Sequence, residues 1–269
     1  MGIAGNLEIR SVRKHYTVDG NRLQILSGVT FDVGPGHFLS IVGPSGCGKS
    51  TLLRLIVGLD NDYEGDILLN GERIEGPSRA RGIVFQDHRL LPWLTLEQNI
   101  GLSLENTGWN AQAKKEAVRG QTELVGLSGF ENAYPHQLSG GMAQRAAIAR
   151  ALVCKPDILL LDEPLGALDA ITRIRLQEEL LRIWRVEETT MILVTHDVDE
   201  AIFLSNEIVV MSSHPGRISK RFIVDLSSPR DRAGNEFIEL KRLILAELHL
   251  YRQKTQSETE NWMNMASLI

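Results

Sequence analysis

Three short stretches of the chain carry residue types at spacings suited to chemistry on a phosphorylated compound. The first is Gly43-Pro44-Ser45-Gly46-Cys47-Gly48-Lys49-Ser50-Thr51. Its glycines let the backbone curl so that successive N–H groups point inward at anionic oxygens. A helix beginning at the end of the loop adds its positive dipole end. Lys49 supplies a mobile positive charge for the β- and γ-phosphates, and the Ser50 hydroxyl is an oxygen ligand suited to Mg²⁺. Gly-x4-Gly-Lys-Ser between an apolar strand and a helix is the Walker A pattern of a nucleoside triphosphate site. A glycine-rich turn that only caps a helix is the plainer reading, and the Lys-Ser pair in that setting argues against it. Cys47 needs no chemistry of its own; a small side chain suits a tight loop.

The second stretch, Ile158-Leu159-Leu160-Leu161-Asp162-Glu163-Pro164, sets two carboxylates just past a buried strand. Ligands gather at that edge of a parallel sheet. Asp162 is the right type to hold Mg²⁺, and Glu163 can act as general base on an attacking water. An acidic strand end that caps the next helix is the alternative. The third stretch is Leu138-Ser139-Gly140-Gly141-Met142-Ala143-Gln144-Arg145, a second helix N-terminus ready for an anion. The first loop already cradles its own nucleotide, so this second one fits a nucleotide held by another chain.

The elements that must position these residues can be read from apolar patterning. Phe38-Leu39-Ser40-Ile41-Val42 feeds the first loop as a buried strand, and Thr51 to Val57 follows as a helix ended by Gly58. Further strands are expected at Ile83-Val84-Phe85, Ile158 to Leu161, Met191 to Val194 and Ile208 to Met211, all short and almost wholly apolar. Helices are expected over Gly141 to Leu152, Ala170 to Arg185 and Val198 to Leu204. Alternating strand and helix indicates an α/β fold with a largely parallel sheet. Before it, Leu7 to Ile9, Gln24 to Leu26 and Val29 to Val33, with the turn signal Asp19-Gly20-Asn21, predict a small N-terminal antiparallel β subdomain. From about residue 87 to 152 the pattern is helical, as an α-helical subdomain inserted in the core. Residues 1–226 are thus expected as one domain. Ser227-Ser228-Pro229-Arg230 marks a boundary, and residues 227–269 follow as a helical tail. In that tail Phe237, Leu240, Leu243, Ile244 and Leu248 form the apolar face, and the chain from about Thr255 is polar.

Composition narrows the class. The 269 residues include 29 basic and 34 acidic ones, a net charge of −5, which argues against a nucleic-acid partner. No run of about 18 apolar residues is present to span a bilayer, and the N-terminus lacks the pattern of a secretion signal. Cys47 and Cys154, the two cysteines, have no metal-ligand or disulfide spacing, as expected of reduced thiols in a cytosolic protein. Any tie to a membrane must come through a partner.

With these motifs in this order, the chain from about Leu7 to Leu226 resembles the ATP-binding subunits of ABC transporters. The resemblance implies a P-loop ATPase core that uses ATP and Mg²⁺, and a Ser139-Gly140-Gly141 loop that closes on ATP held by an opposing subunit. It implies further that Gln86 approaches the metal and the attacking water. Leu165-Gly166-Ala167-Leu168-Asp169 becomes the loop at the subunit contact, His196 the switch residue reaching the γ-phosphate, and Tyr16 the aromatic that stacks on adenine. Met142 departs from the glutamine common at its position. Phe85-Gln86-Asp87-His88-Arg89-Leu90-Leu91-Pro92-Trp93-Leu94, Ser213-His214-Pro215-Gly216-Arg217-Ile218 and Thr195-His196-Asp197-Val198-Asp199-Glu200-Ala201 resemble bacterial importers for nitrate, alkanesulfonates or taurine. The partners so implied are transmembrane permease subunits and a second ATPase subunit, self or paralogue. Indirectly, a periplasmic or extracellular solute-binding protein is implied too. The place implied is the cytoplasmic face of the cell membrane. The apolar run Leu90 to Leu94 is either packing within the helical lobe or a surface for the permease. A soluble ABC ATPase of DNA repair or translation, and a GTPase or small-molecule kinase, are the other readings. Long coiled coils, a second cassette and an Asn-Lys-x-Asp guanine motif are all missing from the sequence.

Overall fold

The protein was analysed as a computed structural model that describes residues 4–18 and 20–249. Asp19 of the predicted turn and the polar stretch from Thr255 lie outside the described residues. The N-terminal strands are longer than the apolar pattern predicts. β1 (Leu7–Val18) and β2 (Asn21–Val33) form one hairpin paired from Leu7↔Val33 to Val18↔Asn21. Its apolar positions are interrupted where the pairing shifts between Ile9 and His15, which hides the period-2 pattern. Two strands with no clear apolar signature complete this antiparallel sheet, β4 (Glu64–Leu69) and β5 (Glu72–Arg73), in the order β2-β1-β4-β5.

The second sheet carries the chemistry. Its strands are β3 (Phe38–Val42), β6 (Arg81–Val84), β7 (Ile158–Asp162), β8 (Thr190–Thr195), β9 (Glu207–Ser212) and β10 (Arg217–Ile223). They lie in the order β10-β9-β3-β8-β7-β6, parallel except for β10. β3 and β8 are buried at every residue, as strands covered on both faces must be. Alternate residues serve opposite layers. Leu39, Ile41, Ile158, Leu160, Ile192 and Val194 face α1 (Lys49–Val57) and the first sheet. Phe38, Leu159, Leu161, Met191 and Leu193 face the helices on the other side.

Those helices are α2 (Leu96–Gly101), α3 (Ala111–Leu124) and α4 (Gly140–Leu152), followed after β7 by α5 (Ala170–Glu187). No strand interrupts the described chain from residue 87 to 152. The Thr95 side chain accepts from Gln98 N–H and Gln98 reaches back to Thr95 N–H, a reciprocal cap that fixes where α2 begins. The apolar run before it does not act as one patch. Leu90 is buried in the helical cluster, whereas Trp93 is 69% exposed. Buried Asn99 holds the run in shape, accepting from Leu91 N–H and donating to the carbonyls of Leu91, Leu94 and Thr95.

After β8 comes α6 (Val198–Leu204), and a last helix, α7, spans residues 235–249. Phe237 and Ile244 of α7 are buried against Val198, Ala201 and Ile202 of α6, and Lys241 pairs with Asp199 at 2.7 Å. Leu243, expected on the apolar face, points outward and is 42% exposed, one position away from the buried stripe through Phe237 and Ile244. α6 also buries Glu200, at 4% exposure. Burial, with the neighbouring Asp197 carboxylate adding to it, pushes the Glu200 carboxyl up to about 7 against the opposing hydrogen bond from the Thr195 hydroxyl.

A carboxyl raised on folding keeps its proton in the native chain while the unfolded chain loses its own, so stability falls as pH rises. The gap between the ordinary value of 4.5 and about 7 corresponds to roughly 3 kcal/mol, present at pH 4.5 and lost by the time the pH has passed 7. Glu200→Gln removes this dependence. Denaturant unfolding of both proteins from pH 4.5 to 8 is therefore expected to show the variant gaining on the wild type as pH rises. Parallel profiles would show that Glu200 is not held protonated.

Candidate functional site

The parallel register brings four strand ends level. Val42 pairs with Thr195 and with Val210, Asp162 with Val194, and Val84 with Leu161. The segments that follow β3, β6, β7 and β8 therefore emerge along one edge, carrying Gly43–Thr51, Gln86, Asp162-Glu163 and His196. Gly48 turns the first loop into α1 with φ 95°, and a Cβ there would meet Leu26 at 2.6 Å, so only glycine fits. Cys47 is wholly buried in the core cluster, consistent with a packing role. Lys49 is buried to 6% exposure and folds back over its own loop, donating to Gly43 O at 2.8 Å and Pro44 O at 3.1 Å. Ser45 and Gly46 form the exposed crest of the loop.

Two pairs of functional groups meet on this edge. The Ser50 hydroxyl donates to Asp162 Oδ1 at 3.0 Å, joining the first helix to the end of β7. Burial pushes the Asp162 carboxyl up, and the Ser50 hydrogen bond opposes it. A hydroxyl and a carboxylate at this separation form an oxygen-donor pair of the kind a small hard cation takes. Beside it, Glu163 Oε2 lies 3.0 Å from His196 Nδ1, within hydrogen-bond reach when Nδ1 carries the proton. Glu163 N–H bonds to Val194 O at 2.9 Å, and the residue holds φ 47°, a conformation that costs a non-glycine residue on the order of 1–3 kcal/mol. Gln86 reaches the same cluster: its Nε2 would be 3.3 Å from a Cβ on Gly166, three residues past Glu163.

The Ser139 loop lies elsewhere. Ser139 caps α4 by accepting from Met142 N–H at 3.3 Å. A Cβ on Gly141 would meet Thr172 at 2.7 Å, so that glycine lets α4 approach the start of α5. Ser139 and Gly141 line an open cavity of about 310 Å³ with Arg145 and Arg175. Gly140 faces Leu168 of the loop before α5. Among the described residues no hydrogen bond or ion pair joins Ser139, Gly140 or Gly141 to the Gly43–Thr51 loop. Asp169 caps α5, accepting from the N–H groups of Ile171 and Thr172. The Thr172 side chain first, and then these N–H groups, hold its carboxyl below the usual range. Tyr16 is half-buried on β1, with its hydroxyl donating to Asp60 at 3.0 Å and the Lys14 ammonium 4.7 Å from its ring centroid.

Several residues around these groups escape sequence reasoning. Lys14 is 2% exposed and bonds to Asp60 at 2.9 Å, so the pair fixes Tyr16 across a gap of more than forty residues. Gln144 of α4 donates to Phe85 O, and Arg150 donates to the carbonyls of His88 and Arg89, tying the helix after Ser139 to the segment around Gln86. No local pattern marks such long-range bonds. The Gln-Arg pair at 144–145, inside the third motif, is the nearest to a signal.

Residues 26–166 match the family model described as ABC transporter. The aliphatic sulfonates import ATP-binding protein SsuB of Bacillus thuringiensis subsp. konkukian is 51% identical over 241 residues, covering 89% of this chain and 94% of that protein. The protein of the same name from Bacillus subtilis is 47% identical over 234 residues, 87% of this chain and 91% of its own. Among solved structures, the ATP-binding cassette MJ0796, a dimer in a post-hydrolysis state bound to ADP and Pi, aligns with a TM-score of 0.70 at 29% identity. That alignment covers 81% of this chain and 98% of the cassette. No helix among the described residues is long and apolar enough to cross a membrane. The phosphate loop, the carboxylate-bearing strand end and the identity to these relatives lead to one conclusion: the chain belongs to the ABC transporter family, as an ATP-binding, ATP-hydrolysing subunit.

Proposed function

We propose that this chain energises import of a small organic anion, an aliphatic sulfonate or a close chemical relative, through a separate membrane permease. The single observation that carries the chemistry is the Glu163–His196 pair at 3.0 Å, beside Ser50–Asp162 on the same sheet edge. The sulfonate class is supported by the names and the 47–51% identity of the relatives. A soluble ATPase uncoupled from transport has no observation in its favour.

Two subunits, copies of this chain or a mixed pair, close on two ATP molecules. In each site, residues Gly43 to Thr51 of one chain take the triphosphate while Ser139, Gly140 and Gly141 of the other meet its γ-phosphate. Lys49 exchanges its bonds to Gly43 O and Pro44 O for phosphate oxygens. Tyr16 stacks on the adenine, held by Asp60 and Lys14. Ser50 and Asp162, with Gln86 nearby, would hold Mg²⁺, whose oxygen preference their donor set matches. Bound there, the ion supplies neutralisation of charge on the β- and γ-oxygens. Glu163 accepts the proton of the attacking water, and His196 orients the carboxylate and the γ-phosphate. Asp169 shapes the subunit contact from its cap on α5.

Residues 1–226 act as the ATPase domain, with the helical subdomain at about 87–152 inserted in it and, of the tail 227–269, α7 packed behind α6. The permease docks at the cytoplasmic face of the membrane on the segment after Gln86, with Trp93 as its exposed apolar contact. A solute-binding protein outside the membrane delivers the anion. Closure of the ATPase pair is then favoured by ATP because ATP binds the closed state better than the open one.

Two experiments test this reading. Glu163→Gln is expected to retain ATP binding and slow hydrolysis by about 10²–10⁴-fold, whereas Lys49→Ala weakens ATP binding itself. Near-normal turnover in the Glu163 variant would reassign the base. In pull-downs with the permease, Trp93→Ala is expected to weaken association and leave ATP affinity unchanged. Equal loss of both would mean that Trp93 supports folding instead.

A further inference from the structure

Behind Glu163 and His196 lie two buried polar atoms that complement each other. Arg173 Nε, a donor on the first turn of α5, and Glu200 Oε1, an acceptor on α6, have no protein hydrogen-bond partner among the described residues. Buried polar atoms left unpaired cost about 1–3 kcal/mol each, so such orphans are uncommon in folded proteins. Both residues line one small cavity, with Glu163, Leu165, Gly166, Thr195, His196 and Asp197. Its volume is about 20 Å³, above the roughly 10–15 Å³ that one water needs. A single water accepting from Arg173 Nε–H and hydrogen-bonded to Glu200 Oε1, as donor to the carboxylate or acceptor from the protonated carboxyl, satisfies both orphans at once.

The groups around this cavity connect two loops of the site. Arg173 donates to Leu168 O at 2.9 Å, in the loop before α5, and its guanidinium lies 3.8 Å from the Asp197 carboxylate, next to His196. Glu200 Oε2 accepts from the Thr195 hydroxyl, which itself accepts from Asp197 N–H at 3.0 Å. Asp197 Oδ1 in turn accepts from Glu200 N–H at 3.2 Å. Both residues flanking His196 are thereby held, Thr195 by Glu200 and the Asp197 N–H, and Asp197 by Arg173 and the Glu200 N–H. Leu168 adjoins Asp169 and faces Gly140 of the Ser139 loop.

We propose that Arg173, Glu200 and one ordered water between them form a positioning strut that links the Leu165–Asp169 loop to His196. Movement of that loop at the subunit contact is then transmitted to the Glu163–His196 pair. The strut rests on the proposed catalytic roles of Glu163 and His196. Neither Arg173 nor Glu200 touches the reacting atoms; both act through His196.

The test uses the full-length chain. Arg173→Lys keeps the charge but loses the branched donor set that reaches Leu168 O, Asp197 and the water together. Steady-state ATPase assays are expected to show kcat reduced by about tenfold, KM for ATP unchanged within about twofold, and a Hill coefficient for ATP falling toward one. Glu200→Gln keeps the size and the contact with Thr195 and is expected to give a smaller loss of kcat in the same pattern. A crystal structure that resolves ordered water should show one within hydrogen-bond distance of Arg173 Nε and Glu200 Oε1. Unchanged kcat and Hill coefficient in both variants, or a cavity without that water, would overturn the strut. Slow turnover of Glu163→Gln alongside would leave the catalytic role of Glu163 standing whatever the fate of the strut, whereas normal turnover there would reassign the base and remove the ground for the strut.

Discussion

The site depends on the parallel register of β3, β8, β7 and β6. Because Val42, Thr195, Asp162 and Val84 end level, four segments distant in sequence emerge at one edge with their functional groups in reach of each other. A shift of one residue in any of these strands would turn its inward side chains to the opposite layer. The layers resist that shift. Ile192 and Val194 pack toward α1 while Met191 and Leu193 pack toward the helices opposite, and all four are wholly buried. The geometry of the candidate site is thus secured by hydrophobic packing, and two local features add to it: the Ser50–Asp162 bond and the positive φ of Glu163.

A second consequence is spatial separation. The first glycine loop is fixed to the sheet edge, and the second, at Ser139, is fixed to the start of α5 by the close contact of Gly141 with Thr172. Each helix N-terminus offers unpaired N–H groups to an anion. No hydrogen bond or ion pair among the described residues joins Ser139 to the Lys49 loop, a separation that supports the proposal of a site completed by a second chain. Gln144, Arg150 and Arg173 tie the Ser139 helix and the loop before Asp169 to the segments at Gln86 and His196, the ties through which the proposed subunit contact would act on the proposed site of hydrolysis.

Much of this was legible from sequence because the chemistry sits in local strand–loop–helix units. Phe38 to Val57 announces its strand, turn and helix within twenty residues, and Ile158 to Glu163 does the same for the carboxylates. What escaped detection was non-local. β1 runs on to Val18 in pairing with β2, and it includes Lys14, buried against Asp60 in an ion pair that no periodicity marks as interior. The apolar run Leu90 to Leu94 gave no way of telling inward from outward residues, since its backbone is held from a distance by the buried Asn99 side chain. Leu243 fits a helical stripe by spacing, yet the stripe through Phe237 and Ile244 leaves it outside. Arg173 and Glu200 read as an ordinary helix cation and an ordinary helix acid until the fold sets both against one cavity.

The central claim is that one ATP is shared between two chains, and mixed dimers test it most directly. Lys49→Ala destroys the phosphate loop of one chain, and Ser139→Arg blocks the second loop of the other. In a dimer of the two variants, one site combines both defects and the other combines an intact Lys49 loop with an intact Ser139 loop. Single-turnover hydrolysis of bound ATP is predicted to be lost in each variant alone and recovered on mixing. A mixture as silent as its two components would contradict a shared site and place both loops on the same nucleotide within one chain.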